Sequence, residues 1–396
     1  LPVNRVAKIL IVDPLGLSPF YDQYLSTALA DRGHDVELWI REPEFLPGYF
    51  DNRKFRARKV THVSRRLFPG NSAVAKFFKY AELLLIDYPR IVTAALRAGI
   101  VHVQWLSPPP IADVELWYWR VVQLSGKKVI FTAHNVFPLG KDRTVTAHLK
   151  RRYALFNRII VTSDYGKKII RQYFPPVSPK TAMISHGPFF HDATRIPADQ
   201  ARSRLNLPPS RPIVLYQGFF SPHKGVEFLL DAFLLVVKKH PDALLLLVGG
   251  GDALYRSKIS AQLQQGAIPS RNVSTRFELI PIPELILYYA ASDIVVYPYK
   301  DIYQSGALFT GFGLGKAIVA TRVGGLPEVI HDGANGRLVD YGDIDNLAKS
   351  IDELIASPTE REMLGRKAHA TAVEEYGWDT IGRTLEEVYK RATETR

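Results

Sequence analysis

Short runs of β-branched and aliphatic residues alternate along this chain with stretches in which apolar positions recur every three or four residues. The alternation predicts parallel sheets covered by helices on both faces, because a parallel pair of strands needs a crossover long enough to hold a helix. In the first half, strands are expected at residues 7–12, 35–39, 100–105, 128–132, 158–162 and 181–184, with helices at 20–31, 112–124, 147–156 and 165–173. Residues 187–212 then turn rich in proline and polar side chains, apart from a short helical pattern at 199–205. Beyond them the pattern restarts, with strands at 213–216, 243–248, 273–277, 294–297 and 317–321 and helices at 226–239, 254–265 and 282–291. Residues 347–396 read as helical with breaks at Pro358 and Gly377, and Trp378, Ile381, Leu385 and Val388 form a core stripe.

The fold class expected is α/β, with two doubly wound, Rossmann-like domains facing a central cleft. They fall at residues 1–195 and 205–375, and a closing helix at 376–396 packs back toward the first. A chain of 396 residues with 46% hydrophobic residues can fill two such cores. With no cysteine, a disulfide framework, a zinc-thiolate site and a cysteine nucleophile are excluded. No window reaches the ~18 uninterrupted apolar residues of a membrane span, so the chain is not expected to cross a bilayer, and the lack of cysteine suits a cytoplasmic protein.

Charge divides the chain. Residues 1–195 carry 29 Lys and Arg against 15 Asp and Glu, while the remainder is close to neutral. The excess concentrates in residues 53–79, where Arg53, Lys54, Arg56, Arg58, Lys59, Arg65, Arg66, Lys76 and Lys79 are interleaved with Phe55, Phe68, Phe77, Phe78 and Tyr80. Such a stretch can lie on an anionic membrane, grip a nucleic acid or form a solvated face. No nucleic-acid module accompanies it, so a peripheral position on the inner face of the cell membrane is the expectation.

Ligands of open parallel sheets bind beyond the carboxyl ends of the strands, so residues directly after strands are the candidates. After the first strand, Gly16 and Leu17 lie in a loop with one glycine where a dinucleotide fingerprint has three, which disfavours a nicotinamide cofactor but leaves room for an acceptor. His134 follows the strand at 128–132 and can donate to a sugar hydroxyl or a developing charge. His186 occupies a similar position nearer the presumed hinge. In the second half, Gly218, Phe219, Ser221 and Lys224 lie between a strand and a helix; the glycine permits close approach and the ammonium can neutralise a diphosphate. After residues 294–297 come Asp301, Tyr303, Gln304, Ser305, Gly306 and Ala307, where Ser305 is a natural N-cap and the following amides, with the helix dipole, form an anion site.

Together these segments resemble the retaining glycosyltransferases of family 4, which have the GT-B fold. The resemblance covers nearly the whole chain and is strongest over residues 214–339. It rests on Gly218, Lys224 and Gly225, on Gly249, Gly250, Gly251 and Asp252, on Asp293, Tyr297 and Pro298, and on residues 315–330 with Gly324, Gly325, Pro327 and Glu328. It implies that the first domain binds acceptor through Gly16, Leu17 and His134, and that the second binds a nucleotide-diphosphate sugar. It also implies retention of configuration without a metal, and no cofactor beyond the donor as co-substrate, with His134 and Lys224 catalytic. The expected reaction moves a hexose-type sugar from a UDP or GDP donor to a lipid-linked or polysaccharide acceptor in cell-envelope glycan synthesis. The family's two glutamates, eight positions apart, fall on Ile302 and Thr310, so both carboxylates are missing. Asp301 beside the first, a Thr310 hydroxyl, and Tyr303 to Gly306, similar to a branch of the family, are the expected replacements. The alternative is a non-catalytic sugar-nucleotide or glycan-binding subunit.

Overall fold

The computed structural model describes residues 7–43, 46–51, 53–61, 63–68, 70, 72–108 and 111–394. The chain forms two compact units: residues 1–136, 143–185 and 378–396 in one, and 137–142 and 186–377 in the other. Residues 137–142 and 186–195, expected in the first domain, thus belong to the second unit.

The first unit is built as expected around a parallel sheet. Its elements are β1 (Lys8–Asp13), α1 (Pro19–Asp31), β2 (Asp35–Ile40), β3 (Arg56–Lys59), α2 (Val63–Leu67), α3 (Ala73–Glu82), a π-helical turn (Leu83–Asp87), α4 (Tyr88–Arg97), β4 (Ile100–Val103), α5 (Ile111–Leu124), β5 (Lys128–Ala133), α6 (Ala147–Leu155), β6 (Arg158–Val161), α7 (Asp164–Tyr173) and β7 (Thr181–Met183). The strand order is β3-β2-β1-β4-β5-β6-β7, so the topology reverses beside β1, where a doubly wound sheet places its ligand crevice. The central strands are buried on both faces, which is why they read as continuous apolar runs.

β3 escaped the sequence reading because its four residues, Arg-Ala-Arg-Lys, carry no apolar alternation. It is an edge strand paired in parallel with β2, and its cations are matched with acids. Arg56 binds Asp35 at 2.7 Å, Arg58 lies 3.8 Å from Glu37, and Lys59 lies 2.9 Å from Glu42 and 3.4 Å from Asp51. Lys54 likewise reaches Asp31, and Arg53 donates to the Tyr49 carbonyl. The first part of the basic stretch is thus a charge-paired sheet edge, of the kind that discourages further strand pairing. The side chains of Arg65 and Arg66 lie outside the described residues.

The second unit contains α8 (Ala198–Arg204), β8 (Ile213–Gln217), α9 (Val226–Lys239), β9 (Leu244–Val248), α10 (Ala253–Gln264), β10 (Val273–Arg276), α11 (Ile282–Ala291), β11 (Ile294–Tyr297), α12 (Gly306–Gly313), β12 (Ala317–Thr321), β13 (Arg337–Val339), α13 (Ile344–Ala356) and α14 (Pro358–Glu374). Its sheet runs β10-β9-β8-β11-β12-β13, all parallel, with the reversal beside β8.

The last helix, α15 (Trp378–Glu394), belongs to the first unit. Arg32 and His34 hold Glu386 at 2.6 and 2.7 Å, and Trp378 stacks on Tyr24. Among the described residues no helix is long and apolar enough to cross a membrane.

Candidate functional site

In the second unit the two segments singled out by sequence meet. Ser221 opens a short 3-10 turn, Pro222–Lys224, that ends on Gly225 in the left-handed conformation at φ 63°. Only glycine fits there, since a Cβ would stand 2.1 Å from the Pro298 carbonyl oxygen. The amides of Lys300 and Asp301 both donate to the His223 carbonyl, at 2.9 and 3.3 Å, which ties the turn to the segment after β11.

The Lys224 ammonium consequently sits 3.9 Å from the centre of the Tyr299 ring. A ring face attracts a cation but does not replace its water, so burial pushes the Lys224 pKa down to about 7. Neighbouring His223 is pushed down to about 4 by burial and by the Lys224 charge, and is neutral at pH 7. Its ring bonds the Ser221 hydroxyl at 3.1 Å.

Tyr299 also reaches the other half of the site. Its hydroxyl lies 3.1 Å from the Ser305 hydroxyl, which accepts from the Leu308 amide at 3.2 Å and so caps α12. The Tyr297 hydroxyl donates to the Ala307 carbonyl at 2.5 Å, fixing the first turn from below. The amides of Gly306 and Ala307 lie in that turn, where no intrahelical acceptor exists. Gln304 folds its side-chain oxygen onto the Ser305 amide at 3.0 Å, withdrawing one donor from the expected anion cradle. Lysine, aromatic ring, capping serine and helix start form one connected unit.

Other residues take different roles from those expected. Thr310 is 4% exposed and its hydroxyl donates to the Gly306 carbonyl, so it serves its own helix rather than standing open to a ribose. Ile302 and Tyr303 are buried, and the Tyr303 hydroxyl accepts from the Phe137 amide at 3.1 Å. Asp301 is half-buried, with one carboxylate oxygen 3.5 Å from the Gly140 amide. Phe219 is exposed, and Gly218 accepts the close approach of Gly249, whose Cβ would lie 2.0 Å from its carbonyl oxygen.

His186, a weaker candidate from the sequence, borders this site together with Phe189 and Tyr299, which the sequence did not single out. His186 stacks on Phe309 and is pushed down to about 4 by burial. A Cβ on Gly306 would lie 2.9 Å from the Phe189 ring and 3.4 Å from that of His186. Tyr299 carries a signal in the sequence, as an aromatic two residues after the end of β11.

In the first unit, the Gly16 loop is organised from inside. The buried carboxylate of Asp13 accepts from the amides of Leu15, Gly16, Leu17 and Ser18 at 2.8–3.2 Å, so these donors face inward. Gly16 adopts φ 65° with the Arg41 carbonyl beneath it, leaving Leu17 exposed. His134 directly follows β5, as expected. Its ring is stacked on Trp105 at 4.9 Å and bonded to the Gln104 side chain at 3.1 Å. Behind it, His102 lies 3.4 Å from Gln104 and is hydrogen-bonded to Thr132 and to Tyr389 of α15, both at 2.7 Å. Burial lowers His102 to about 3, so it is a neutral support for His134.

Comparison with known proteins accounts for both units. Residues 211–357 match the family described as Glycosyl transferases group 1, and residues 23–187 match Glycosyltransferase Family 4. The chain is a family 4 glycosyltransferase. Over 99% of its length it is 27% identical to D-inositol 3-phosphate glycosyltransferase of Thermobispora bispora, covering 96% of that protein. It is 26% identical to spore coat protein SA of Bacillus subtilis and 28% identical to a GDP-mannose-dependent phosphatidylinositol monomannoside mannosyltransferase of Mycolicibacterium smegmatis; it spans 65% of the length of each. Among solved structures, sucrose-phosphate synthase from Thermosynechococcus elongatus superposes with a TM-score of 0.75 over 97% of this chain and 98% of that one, at 21% identity. Anabaena HepE in complex with UDP-glucose gives 0.74 over 97% and 100%, at 17% identity. These likenesses establish a glycosyltransferase of the GT-B fold with two Rossmann-like domains.

Proposed function

We propose that this glycosyltransferase transfers a hexose-type sugar from a UDP or GDP donor, with retention of configuration, to a lipid-linked or polysaccharide acceptor in cell-envelope glycan synthesis. The observation that carries the reading is the joined cluster of Lys224, Tyr299 and the Ser305-capped start of α12, which offers one cation and a set of amides to a diphosphate. The bond from the anomeric carbon to the diphosphate oxygen breaks, a bond to the acceptor oxygen forms on the same face, and the acceptor proton passes to the departing diphosphate. Charge grows on the diphosphate as it leaves, and groups held in place before the reaction stabilise it most. In this reading Lys224 and the amides neutralise the leaving group without a metal or further cofactor, and His134 orients or polarises the acceptor hydroxyl. Gly16 and Leu17 contribute shape, since the loop's amides already serve Asp13.

The buried positions of Ile302 and Thr310 favour a second reading, a subunit that binds sugar nucleotides without turnover. Melting curves with UDP-, GDP- and dTDP-sugars, followed by transfer assays with the stabilising donor, separate the two. At a hundred times its Kd a ligand stabilises by about 2.7 kcal/mol. Binding followed by turnover supports the enzyme, binding without turnover against any acceptor supports the sugar-nucleotide-binding subunit, and absence of donor binding removes the enzyme and leaves a non-catalytic glycan-binding subunit.

A further inference from the structure

Exposed large apolar side chains concentrate in one part of the first unit. Leu67 of α2, Val74 and Phe77 of α3, Leu85 and Ile86 of the π-helical turn and Trp117 of α5 are each 49–73% exposed. They are not scattered. Phe68, which follows α2, stacks on Phe78 of α3 at 4.1 Å, and the Tyr118 hydroxyl of α5 donates to the Leu84 carbonyl of the π turn at 2.8 Å. α5 buries Ala112, Leu116, Trp119 and Val122 on one side and turns Trp117 outward on another, so it is apolar on more than the face its sheet needs. A helix apolar beyond its core face has something else to cover it.

Charge identifies the cover. Residues 60–125 hold seven Lys and Arg against four Asp and Glu, and each of the four acids is engaged within the fold. Glu82 accepts from the amides of Val63 and Ser64, Asp87 from Thr61, and Glu115 from Ser107, while Asp113 is paired with Arg151 and His148. Lys76 and Arg120 stand exposed among the apolar groups. A surface of aromatic and aliphatic side chains with exposed cations, and with acids that are buried or, like Asp113, already ion-paired, is complementary to an anionic bilayer, whose headgroups take the cations while the apolar groups enter the acyl boundary. A second copy of the same face would oppose like charges.

We infer that this protein docks on anionic membranes through α2, α3, the π turn and α5, and not through the charge-paired β3 edge. The inference rests on the proposed function only for the lipid-linked acceptor, and docking requires no turnover. The test is sedimentation of the full chain with vesicles of phosphatidylglycerol and phosphatidylcholine, beside phosphatidylcholine alone. Wild type is expected to bind the anionic vesicles and to be released by salt. Phe77→Ser and Leu85→Ser should each weaken binding by about tenfold, Lys76→Glu with Arg120→Glu should weaken it at low salt only, and Arg56→Glu should leave it unchanged. Unaltered binding of Phe77→Ser and Leu85→Ser with native melting curves overturns the inference. So does a wild-type dimer that these substitutions dissociate, because the face would then be covered by a second copy. Nucleotide melting shifts, measured on the same preparations, report the donor site separately, so loss of one property is distinguishable from loss of the other.

Discussion

Replacing Lys224 by methionine removes the cation 3.9 Å from the Tyr299 ring while keeping a chain of similar length. In the free protein burial holds this ammonium at about 7 against an ordinary 10.5, so it is half charged at pH 7 and about one-hundredth charged at pH 9. If a diphosphate binds the charged form, apparent affinity for the nucleotide falls by up to about tenfold per pH unit above 7, until the pH reaches the raised pKa that Lys224 has in the complex. Stability moves the other way. Between pH 7 and 10.5 the unfolded chain carries the proton that the folded chain lacks, so this residue makes the free protein more stable as pH rises. Titration calorimetry with the stabilising nucleotide from pH 6 to 9 should show the steep limb in wild type and a flat profile in Lys224→Met. Turnover should fall by about 10²–10³-fold, the usual loss on removing one preorganised donor. Turnover of Lys224→Met within tenfold of wild type, or equal pH slopes in the two proteins, would refute the assignment of Lys224 to the diphosphate.

Tyr299 separates ring from hydroxyl: Tyr299→Phe keeps the platform under Lys224 but loses the 3.1 Å contact to Ser305, and should lower kcat by about tenfold or less, about one hydrogen bond's worth. Tyr299→Leu should also shift the alkaline limb of donor binding, which Tyr299→Phe should not. Asp301 is the sole acid in residues 298–310, so Asp301→Asn should raise the KM for the nucleotide sugar while leaving affinity for the free nucleotide within about twofold, as for a neutral-neutral contact exchanged at the sugar alone. Equal loss for both ligands would move Asp301 away from the sugar. In the first unit, Asp13→Ala strips the acceptor from four amides and should cost about 3 kcal/mol or more in denaturant melts. Asp22→Asn should cost under about 1 kcal/mol, because burial and the Asp13 charge raise the Asp22 carboxyl well above its usual range, so a neutral amide replaces a group whose charge is disfavoured there.

The strands were legible because a strand covered on both faces must be apolar throughout, and β1, β5, β8, β9 and β12 are such strands. β3 was illegible for the complementary reason: it satisfies its partners with charge rather than burial. α2 to α4 were not expected from the sequence, although α3 and α4 segregate apolar from polar positions as helices ordinarily do. At the candidate site the sequence pointed to Lys224 and Ser305 through their positions beside strand ends. It had no means of showing that Tyr299 joins them, since that contact depends on how the turn ending at Gly225 lies against Pro298.

The two absent carboxylates acquire a packing explanation. A Cβ on Gly324 would stand 1.6 Å from the Ile302 carbonyl, and Ile302 itself is 3% exposed, so the chain here is pressed against the Gly324 turn with its side chain in the core. A glutamate at that position would be buried, and an unpaired carboxylate in such a place is costly enough to stay protonated. Thr310 closes a bond to its own helix in the same way. The substitutions are therefore coupled to the local backbone rather than being isolated losses, and they arrive together with an aromatic platform at Tyr299, a capped helix start and an adjoining Asp301. Under the proposed function, a site without these carboxylates that keeps a depressed lysine beside a capped helix start would select for the charge of the diphosphate first. It leaves recognition of the sugar to whatever reaches the remaining acid.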